Sequence, residues 1–318
     1  MKSLSFFVVA LSVALFAGSG VANAQSDEAI FALAGAEFQP RWTASAGTII
    51  LHRSNARSAL LAEDGTTHEE LANTADFDLG WAAGSDVQVN RHFENGWSFG
   101  VRYFMVDEWK ATKSLSDPGN ILVPLVSTDP DDYFDTASAL YASRLYSTEL
   151  NLGRQIGERL RILAGFRWVE LHERIGADAW SPTLEGTFDF DNSNHLYGFQ
   201  LGAEGKLLQR GALEVDGFVK AGIYGNAIRL NVAGEGTYFE MDETATASRT
   251  SFLGEIGLTA KYRLGQHWSV YGGYEVMWLE GVVLAGDAVA ALDAGSSDML
   301  LNGTAFYHGA VAGVEFRW

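Results

Sequence analysis

The sequence predicts an all-β fold, a transmembrane up-and-down antiparallel β-barrel of about ten strands, within a range of eight to twelve. Three observations support this. Apolar and polar residues alternate with a period of two in many segments. Short and long connections between these segments alternate along the whole chain, which is typical of outer-membrane barrels. Glycine (35) and aromatic residues (12%) are abundant while proline is scarce (5), which favours strands over helices.

The first part of the chain reads as a targeting segment rather than as part of the barrel. An apolar run from Leu4 to Gly18 follows Met1-Lys2, and Ala22-Asn23-Ala24 fits a small-x-small cleavage site. This pattern predicts a secretory signal peptide over residues 1–24. Residues 25–38 are expected to form an N-terminal segment in the periplasm or a plug in the lumen, and residues 39–318 the barrel.

Ten segments qualify as strands, taken in order along the chain. They lie near residues 41–52, 77–83, 97–105, 146–152, 160–168, 197–204, 213–223, 252–263, 268–276 and 309–318. The first of them alternates poorly. Short connections near 92–96, 155–159, 207–211 and 264–267 are expected to be periplasmic turns. Long ones near 53–75, 111–139, 173–192, 232–248 and 281–303 are expected to be extracellular loops.

The last strand shows the two faces most clearly. Trp318, Phe316 and Val314 point one way, while Arg317 and Glu315 point the other. In a membrane barrel the apolar face meets lipid and the polar face lines the lumen. The alternative, a soluble β-barrel, would place the apolar face inside.

Charged residues recur on the predicted inner face of many strands. The predicted lumen-lining charges are Arg102, Glu149, Arg161, Arg167, Glu204, Glu255, Lys261, Glu315 and Arg317. Both signs are present, so we expect charge pairs between neighbouring strands that fill a narrow lumen.

The five long connections hold 21 acidic and four basic residues. Such an acidic crown attracts cations and repels anions, although a plain solvated loop surface would have the same composition.

Two blocks of sequence resemble a known family. They are "FDLGWAAGSDVQVNRHFENGWSFGVRYFMVDEW" and "SRLYSTELNLGRQIGERLRILAGFRWVEL". Both are similar to the porin-like outer-membrane β-barrel proteins that are abundant in planctomycete-type bacteria. The matching motifs span Asp78–Gly84, Trp97–Phe104, Ser147–Leu152 and Leu163–Leu171.

The resemblance implies a barrel in the outer membrane of a Gram-negative-type bacterium, with membrane lipid as a partner. The layout of the connections places the long loops outside. The acidic residues of these loops suggest lipopolysaccharide, bridged by divalent cations, as a further partner. The terminal aromatic residues Phe316 and Trp318 resemble the signal that the outer-membrane insertion machinery recognises. That machinery is therefore an expected partner as well.

The expected function is a narrow, weakly cation-favouring pore for small ions or solutes, or a structural barrel. Ten strands are too few for a wide aqueous channel, which is found at 16 to 18 strands. A surface adhesin or ligand-binding barrel that works through its acidic loops is the first alternative.

An outer-membrane hydrolase with an active site at the rim is the second alternative. Its candidate residues are His172, Glu173, His195, Asp107, Glu108 and, facing His172 from the next strand, Ser143. No motif supports this assignment, so the chain is predicted not to be an enzyme.

Composition excludes several further classes of protein and site. There is no cysteine, which excludes disulfides and cysteine metal sites. We expect no metal and no cofactor. A formal net charge of -18 makes nucleic acid an unsuitable partner.

Overall fold

A computed structural model of the protein describes residues 41–54, 58–127, 129, 131–293 and 302–318, with side chains at 290–293 left aside. The predicted signal peptide and the segment 25–38 lie outside these described residues and stay predictions. The described residues form twelve strands: β1 Trp42–Arg53, β2 Leu60–Asp64, β3 Glu70–Asn73, β4 Trp81–His92, β5 Trp97–Leu122, β6 Phe134–Ile156, β7 Leu160–Trp180, β8 Glu185–Arg210, β9 Leu213–Gly236, β10 Glu240–Arg263, β11 Trp268–Val282 and β12 Gly303–Arg317. One 3-10 turn, Thr74–Asp76, follows β3, and one helix, α1 Ala285–Asp293, lies between β11 and β12.

Ten of the strands close into a barrel, which confirms the predicted fold class. Strands β4 to β12 pair antiparallel with their neighbours in chain order. Strand β1 pairs with β4 on one side and with β12 on the other, from Thr43 opposite Arg317 to Arg53 opposite Tyr307. The small β2–β3 hairpin attaches to the far end of β5 and stays outside the ring.

The two ends of the barrel differ. Short turns at 93–96, 157–159, 211–212 and 264–267 form one end, called here the turn end. The opposite end, called here the loop end, carries the connections after β1, β5 and β11 together with the tips of β6–β10. No helix among the described residues is long and apolar enough to span a membrane.

The strands are longer than the sequence pattern suggested. Strands β5–β10 have 21 to 26 residues, whereas 9–11 residues cross a bilayer. The predicted long connection at 173–192 is mostly strand, with a turn only at 181–184, and that at 232–248 contains a turn only at 237–239. The expected loops are therefore largely extensions of the barrel wall.

An apolar belt surrounds the turn-end half of the barrel. On β11, the outward side chains run from Trp268 to Trp278, ten residues apart, which matches the spacing of two aromatic girdles across a membrane. Outward residues between the girdles, such as Phe199 and Leu201, are 78% and 69% exposed. At the turn-end girdle Trp42 stacks on Trp318, with ring centroids 6.2 Å apart.

Between the belt and the loop end, the polarity of the two faces of the wall is reversed: the inner face is apolar and the outer face is polar. On β7, Val169 and Leu171 are fully buried inside the barrel, while Glu170 and His172 point outward. The loop-end half is thus built like a water-soluble β-barrel, with a dry apolar core and a polar outer wall. This exchange explains why the sequence pattern does not reveal the strand extensions, because the apolar residues shift to the other phase of the period-two repeat.

Candidate functional site

Seven charged side chains meet inside the barrel at the level of the belt. We call them the central cluster: Asp86, Arg102, Glu149, Arg167, Lys220, Glu255 and Glu275. Each comes from a different strand, because the alternation of the pleat turns one polar residue of each strand inward at this level. All seven are less than a tenth exposed.

Arg102 connects several carboxylates of the central cluster. Its Nε and Nη2 donate to the two carboxylate oxygens of Asp86 at 3.1 and 2.9 Å, a bidentate pair. Its Nη1 donates to Glu255 at 2.9 Å, and Nη2 also reaches Glu275 at 3.1 Å. One guanidinium therefore ties β5 to β4, β10 and β11 across the lumen.

Arg167 and Lys220 complete the network. Arg167 donates to Glu255 at 2.6 Å, and the Lys220 ammonium donates to Glu149 at 3.0 Å. Gln200 adds a hydrogen bond to Glu149 at 2.8 Å. Because these side chains come from eight of the ten barrel strands, contact one another across the lumen and are almost fully buried, they fill the lumen at this level.

A second, wetter layer of charges lies towards the turn end. Lys261 lies 3.3 Å from Glu315, and Arg161 pairs with Glu204. Arg317 donates to Ser269 at 3.2 Å. These five charged side chains are between 14% and 29% exposed, so water reaches them from the turn end.

The structure thus divides the predicted lumen-lining charges into two groups. Arg102, Glu149, Arg167 and Glu255 lie in the central cluster, and the other five lie in the turn-end layer. Lys220 and Glu275 also follow from the alternation of their strands, which places both on the predicted inner face. Sequence reasoning misses Asp86, because the strand that carries it, β4, begins later than expected. Phe77 and Leu79, taken as the start of that strand, precede it and are buried.

The connection after β11 enters the lumen from the loop end and blocks it. Val283–Val289, called here the plug segment, covers the last residues before α1 and the first turn of that helix. Its described side chains are at most 5% exposed, and they pack among the inward apolar residues of the barrel. The sequence predicted an extracellular loop here.

Polar side chains of the barrel wall hold the plug segment in place. The Asn194 amide donates to the Val283 carbonyl oxygen at 2.8 Å and accepts from the Val283 N–H at 2.9 Å. Asn192 donates to the same carbonyl at 2.7 Å. Just before the segment, Ser251 donates to the Gly281 carbonyl at 2.6 Å. The buried backbone of the connection is therefore satisfied by side chains.

A buried ion pair lies beside the plug segment. Glu173 accepts from the Ala285 N–H at 2.8 Å and from the Tyr141 hydroxyl at 3.0 Å, and it pairs with Arg53. Burial raises the pKa of Tyr141 well above its usual range, so its hydroxyl remains a donor. The sequence predicts loops at both members of the pair, because Arg53 and Glu173 lie on the parts of β1 and β7 where the inner face is apolar.

Gly281 allows the chain to turn into the lumen. It has a φ of +78°, and a Cβ there would lie 2.7 Å from the Thr250 carbonyl oxygen.

We expect Gly281→Val to lower the free energy of unfolding by about 1–3 kcal/mol, the usual cost of forcing a side chain into such a backbone conformation. Urea titration of the refolded protein measures this. Gly265→Val, where a Cβ meets nothing within 4 Å, is the matched control, and an equal loss in both variants would contradict this role.

The residues considered for hydrolysis do not assemble into an active site. His172 points outward and lies 3.2 Å from Asp191, whose hydrogen bond raises the pKa of the imidazole. Ser143 points inward and donates to Glu173 at 3.3 Å. The supposed pairing of His172 with Ser143 is wrong, because adjacent residues of the two strands face opposite sides of the wall.

The remaining rim candidates are engaged elsewhere on the outer wall. His195 lies 3.8 Å from Glu170, Asp107 accepts from the Tyr146 hydroxyl at 3.1 Å, and Glu108 lies 3.6 Å from Arg144. Among the described residues there is no group of three or more potential metal ligands.

Comparisons with solved structures agree with this architecture. The outer membrane protease OmpT from Escherichia coli superposes with a TM-score of 0.53 at 9% identity, covering 89% of this chain and 99% of OmpT. At this identity the likeness shows the fold alone. The translocator domain of the autotransporter NalP from Neisseria meningitidis has a TM-score of 0.42 at 10% identity, covering 98% of this chain and 99% of its own. The P. putida toluene transporter TodX has a TM-score of 0.36 at 9% identity, covering 88% and 91%. These two scores are too low to support an argument.

Sequence comparison gives the family. No curated protein matches the sequence. Residues 133–294, from the connection after β5 to the end of α1, match the family described as "Putative beta barrel porin-7 (BBP7)". This confirms the predicted resemblance to porin-like outer-membrane barrels, while the planctomycete-type origin stays a prediction. The protein is an outer-membrane β-barrel, and the chain belongs to the beta barrel porin-7 family.

Proposed function

We propose that this porin-like barrel is closed in its resting state and acts as a structural barrel that presents its loop end to the outside. The observation that carries the proposal is the double closure of the lumen. The central cluster fills it at the level of the membrane, and the plug segment with its apolar surroundings fills it towards the loop end. An ion crossing the barrel would have to displace both.

The chemistry of the two closures supports a stable resting state. The central cluster pairs its charges out of water, and separating them leaves buried charges without partners, which is costly. The plug segment is apolar apart from the buried Asp287, and the backbone of Val283 and Ala285 is hydrogen-bonded to the wall. We infer from this that the protein does not conduct ions until at least the plug segment moves.

A narrow cation-favouring pore is the second candidate. The plug segment belongs to a single connection, so it can leave the lumen without breaking the β-sheet. This favours the pore. The acidic residues of the loop end would then favour cations over anions at that mouth. The central cluster, with four carboxylates and three cationic side chains, would form the remaining constriction.

The orientation follows from the same proposal. With the turn end in the periplasm, the long connections and the strand extensions face outward, as in other outer-membrane barrels. The outward Phe316 and Trp318, whose rings lie 5.4 Å apart, would be available to the insertion machinery while β12 is still unpaired. Lipopolysaccharide would then surround the outer part of the belt.

Conductance in a planar lipid bilayer tests the proposal. The refolded wild-type protein should insert, as shown by protease protection, and give no discrete current steps. A variant in which residues 285–301 are replaced by a short Gly-Ser linker separates the two candidates. The closed barrel predicts that this variant also stays silent, because the central cluster still fills the lumen, whereas the pore predicts small steps with a reversal potential on the cation side. Frequent open steps from the wild type would contradict the closed barrel, and an anion-selective variant would contradict the second candidate.

We also propose that the protein is not a hydrolase, given the separation of His172 from Ser143. A peptide and an ester substrate should both remain uncleaved by the folded protein in lipopolysaccharide-containing micelles. Turnover that is lost in His172→Ala would overturn this.

A further inference from the structure

The membrane does not explain why Trp180 is exposed on the outer wall. Of the nine tryptophans, Trp109 is buried in the core and seven others point outward in or near the two girdles. Trp180 is the ninth. It is 52% exposed and lies on β7 twelve residues beyond Trp168, the girdle residue of that strand. At about 3.3 Å per residue this places it far outside the belt.

Trp180 lies in a surface cavity of about 740 Å³ formed by the tips of β5 to β9. The cavity is on the outer face of the sheet. The lining side chains that are exposed point outward, whereas Ala179 and Gly186, which point inward, are buried. The inner side at this level is already filled, since a Cβ on Gly186 would lie 2.9 Å from Val126.

The charges that line this cavity have one sign. Asp178, Glu185 and Glu235 contribute carboxylates, and none of the described residues lining the cavity is basic. None of the three forms a salt bridge with a described residue, and the nearest arginine on the same face, Arg174, is paired with Asp189 at 2.6 Å. Apart from these acids and Trp180, half of the lining residues are serine or threonine.

The strand register fixes how these groups are spaced. Trp180 lies directly opposite Glu185, and Thr187 lies opposite both Asp178 and Glu235. Asp178 and Glu235 are therefore two strands apart, about 10 Å at the usual strand separation of about 4.8 Å. The indole lies beside this pair of carboxylates, two residues from Asp178 on the same strand.

From this arrangement we propose that the cavity binds an organic cation with two ammonium groups about 10 Å apart. One ammonium pairs with Asp178 and the other with Glu235. The connecting alkyl chain and the ammonium nearer to β7 contact the indole of Trp180, since tryptophan is the best cation–π partner among the side chains. Metal ions would gain nothing from the indole, and anions would be repelled. The proposal goes beyond the closed barrel and does not depend on whether the lumen conducts.

Calorimetric titration of the whole refolded chain in uncharged micelles at low ionic strength tests the site, with 1,8-diaminooctane as the probe. We expect saturable binding of one molecule. The double variant Asp178→Asn/Glu235→Gln should weaken it at least tenfold, and Trp180→Leu about threefold. The shorter 1,4-diaminobutane should bind several-fold more weakly, because it cannot bridge both carboxylates.

Two matched controls decide between a site and general attraction to an acidic surface. Asp242→Asn removes an exposed outward carboxylate of β10 outside the cavity and should leave binding unchanged. Trp180→Phe keeps an aromatic ring and should retain most of the affinity. Equal losses in Asp242→Asn and Asp178→Asn, or no loss in Trp180→Leu, would overturn the proposal. Conductance of all variants should match the wild type, so failure here is separate from failure of the closed-barrel proposal.

Discussion

Replacing Arg102 with alanine is expected to lower the free energy of unfolding by about 3–5 kcal/mol, the cost of removing one partner from a buried ion pair. The change leaves Asp86 and Glu275 without their cation in the middle of the lumen. Glu255 keeps only Arg167 and Lys220. Urea unfolding in lipid vesicles, followed by tryptophan fluorescence, measures the loss.

Arg161→Ala is the matched control for this prediction. Arg161 also pairs with a carboxylate of the neighbouring strand, Glu204, but the two side chains are 21% and 27% exposed. Water can replace the lost partner there, so the expected loss is below about 1 kcal/mol. Similar losses in the two variants would mean that water already penetrates the central cluster, and the lumen would then not be closed at that level.

Val219→Arg is expected to cost about 2–4 kcal/mol, because it places a charge on the lipid face near the middle of the belt. Val219 points outward on β9, between Leu213 at the turn-end edge and the start of the polar wall at Arg229. The cost should appear both in urea unfolding and as a lower yield of folded barrel in vesicles.

Ala233→Arg provides the comparison on the same strand and the same face. Ala233 is exposed, fourteen residues further along β9, where the outer wall is polar. The same arginine should be tolerated there within about 0.5 kcal/mol, as at most surface positions. A large loss at Ala233 would mean that the belt extends to the loop end, against the exchange of faces described above.

The barrel itself was predictable because the membrane imposes a simple rule on each strand. Within the belt, lipid requires an apolar outer face, so Phe316 and Trp318 against Glu315 and Arg317 can be read directly from the order of residues. The same alternation predicts that the charges of the central cluster point inward. It does not predict which carboxylate Arg102 contacts across the lumen, because that depends on strand tilt and on ring closure.

The loop-end half was not predictable by that rule. There the outer face meets water and the inner face is dry, so Phe188 and Phe190 point inward and Asp189 and Asp191 outward. Period-two alternation continues there, but the apolar residues occupy the other phase of the repeat, so the pattern breaks where the two faces exchange. A search for alternation of either polarity would have found the extensions of β7 to β9. The plug segment leaves no such pattern, and only the short apolar run at its start, Val283–Leu284 after Val282, indicates burial.

The pairing of β1 with β12 has a consequence for how the protein reaches its native state. These strands stand at the two ends of the barrel sequence, and the plug segment lies in the connection between β11 and β12. Ring closure, burial of the plug segment and formation of the apolar core must therefore finish together, as a late step that depends on contacts between distant parts of the chain. Such contacts form slowly, and until they form the inner wall of the loop-end half remains an open apolar sheet. A periplasmic holding chaperone would have to cover that surface during transit to the membrane, and not only the strands that later meet lipid.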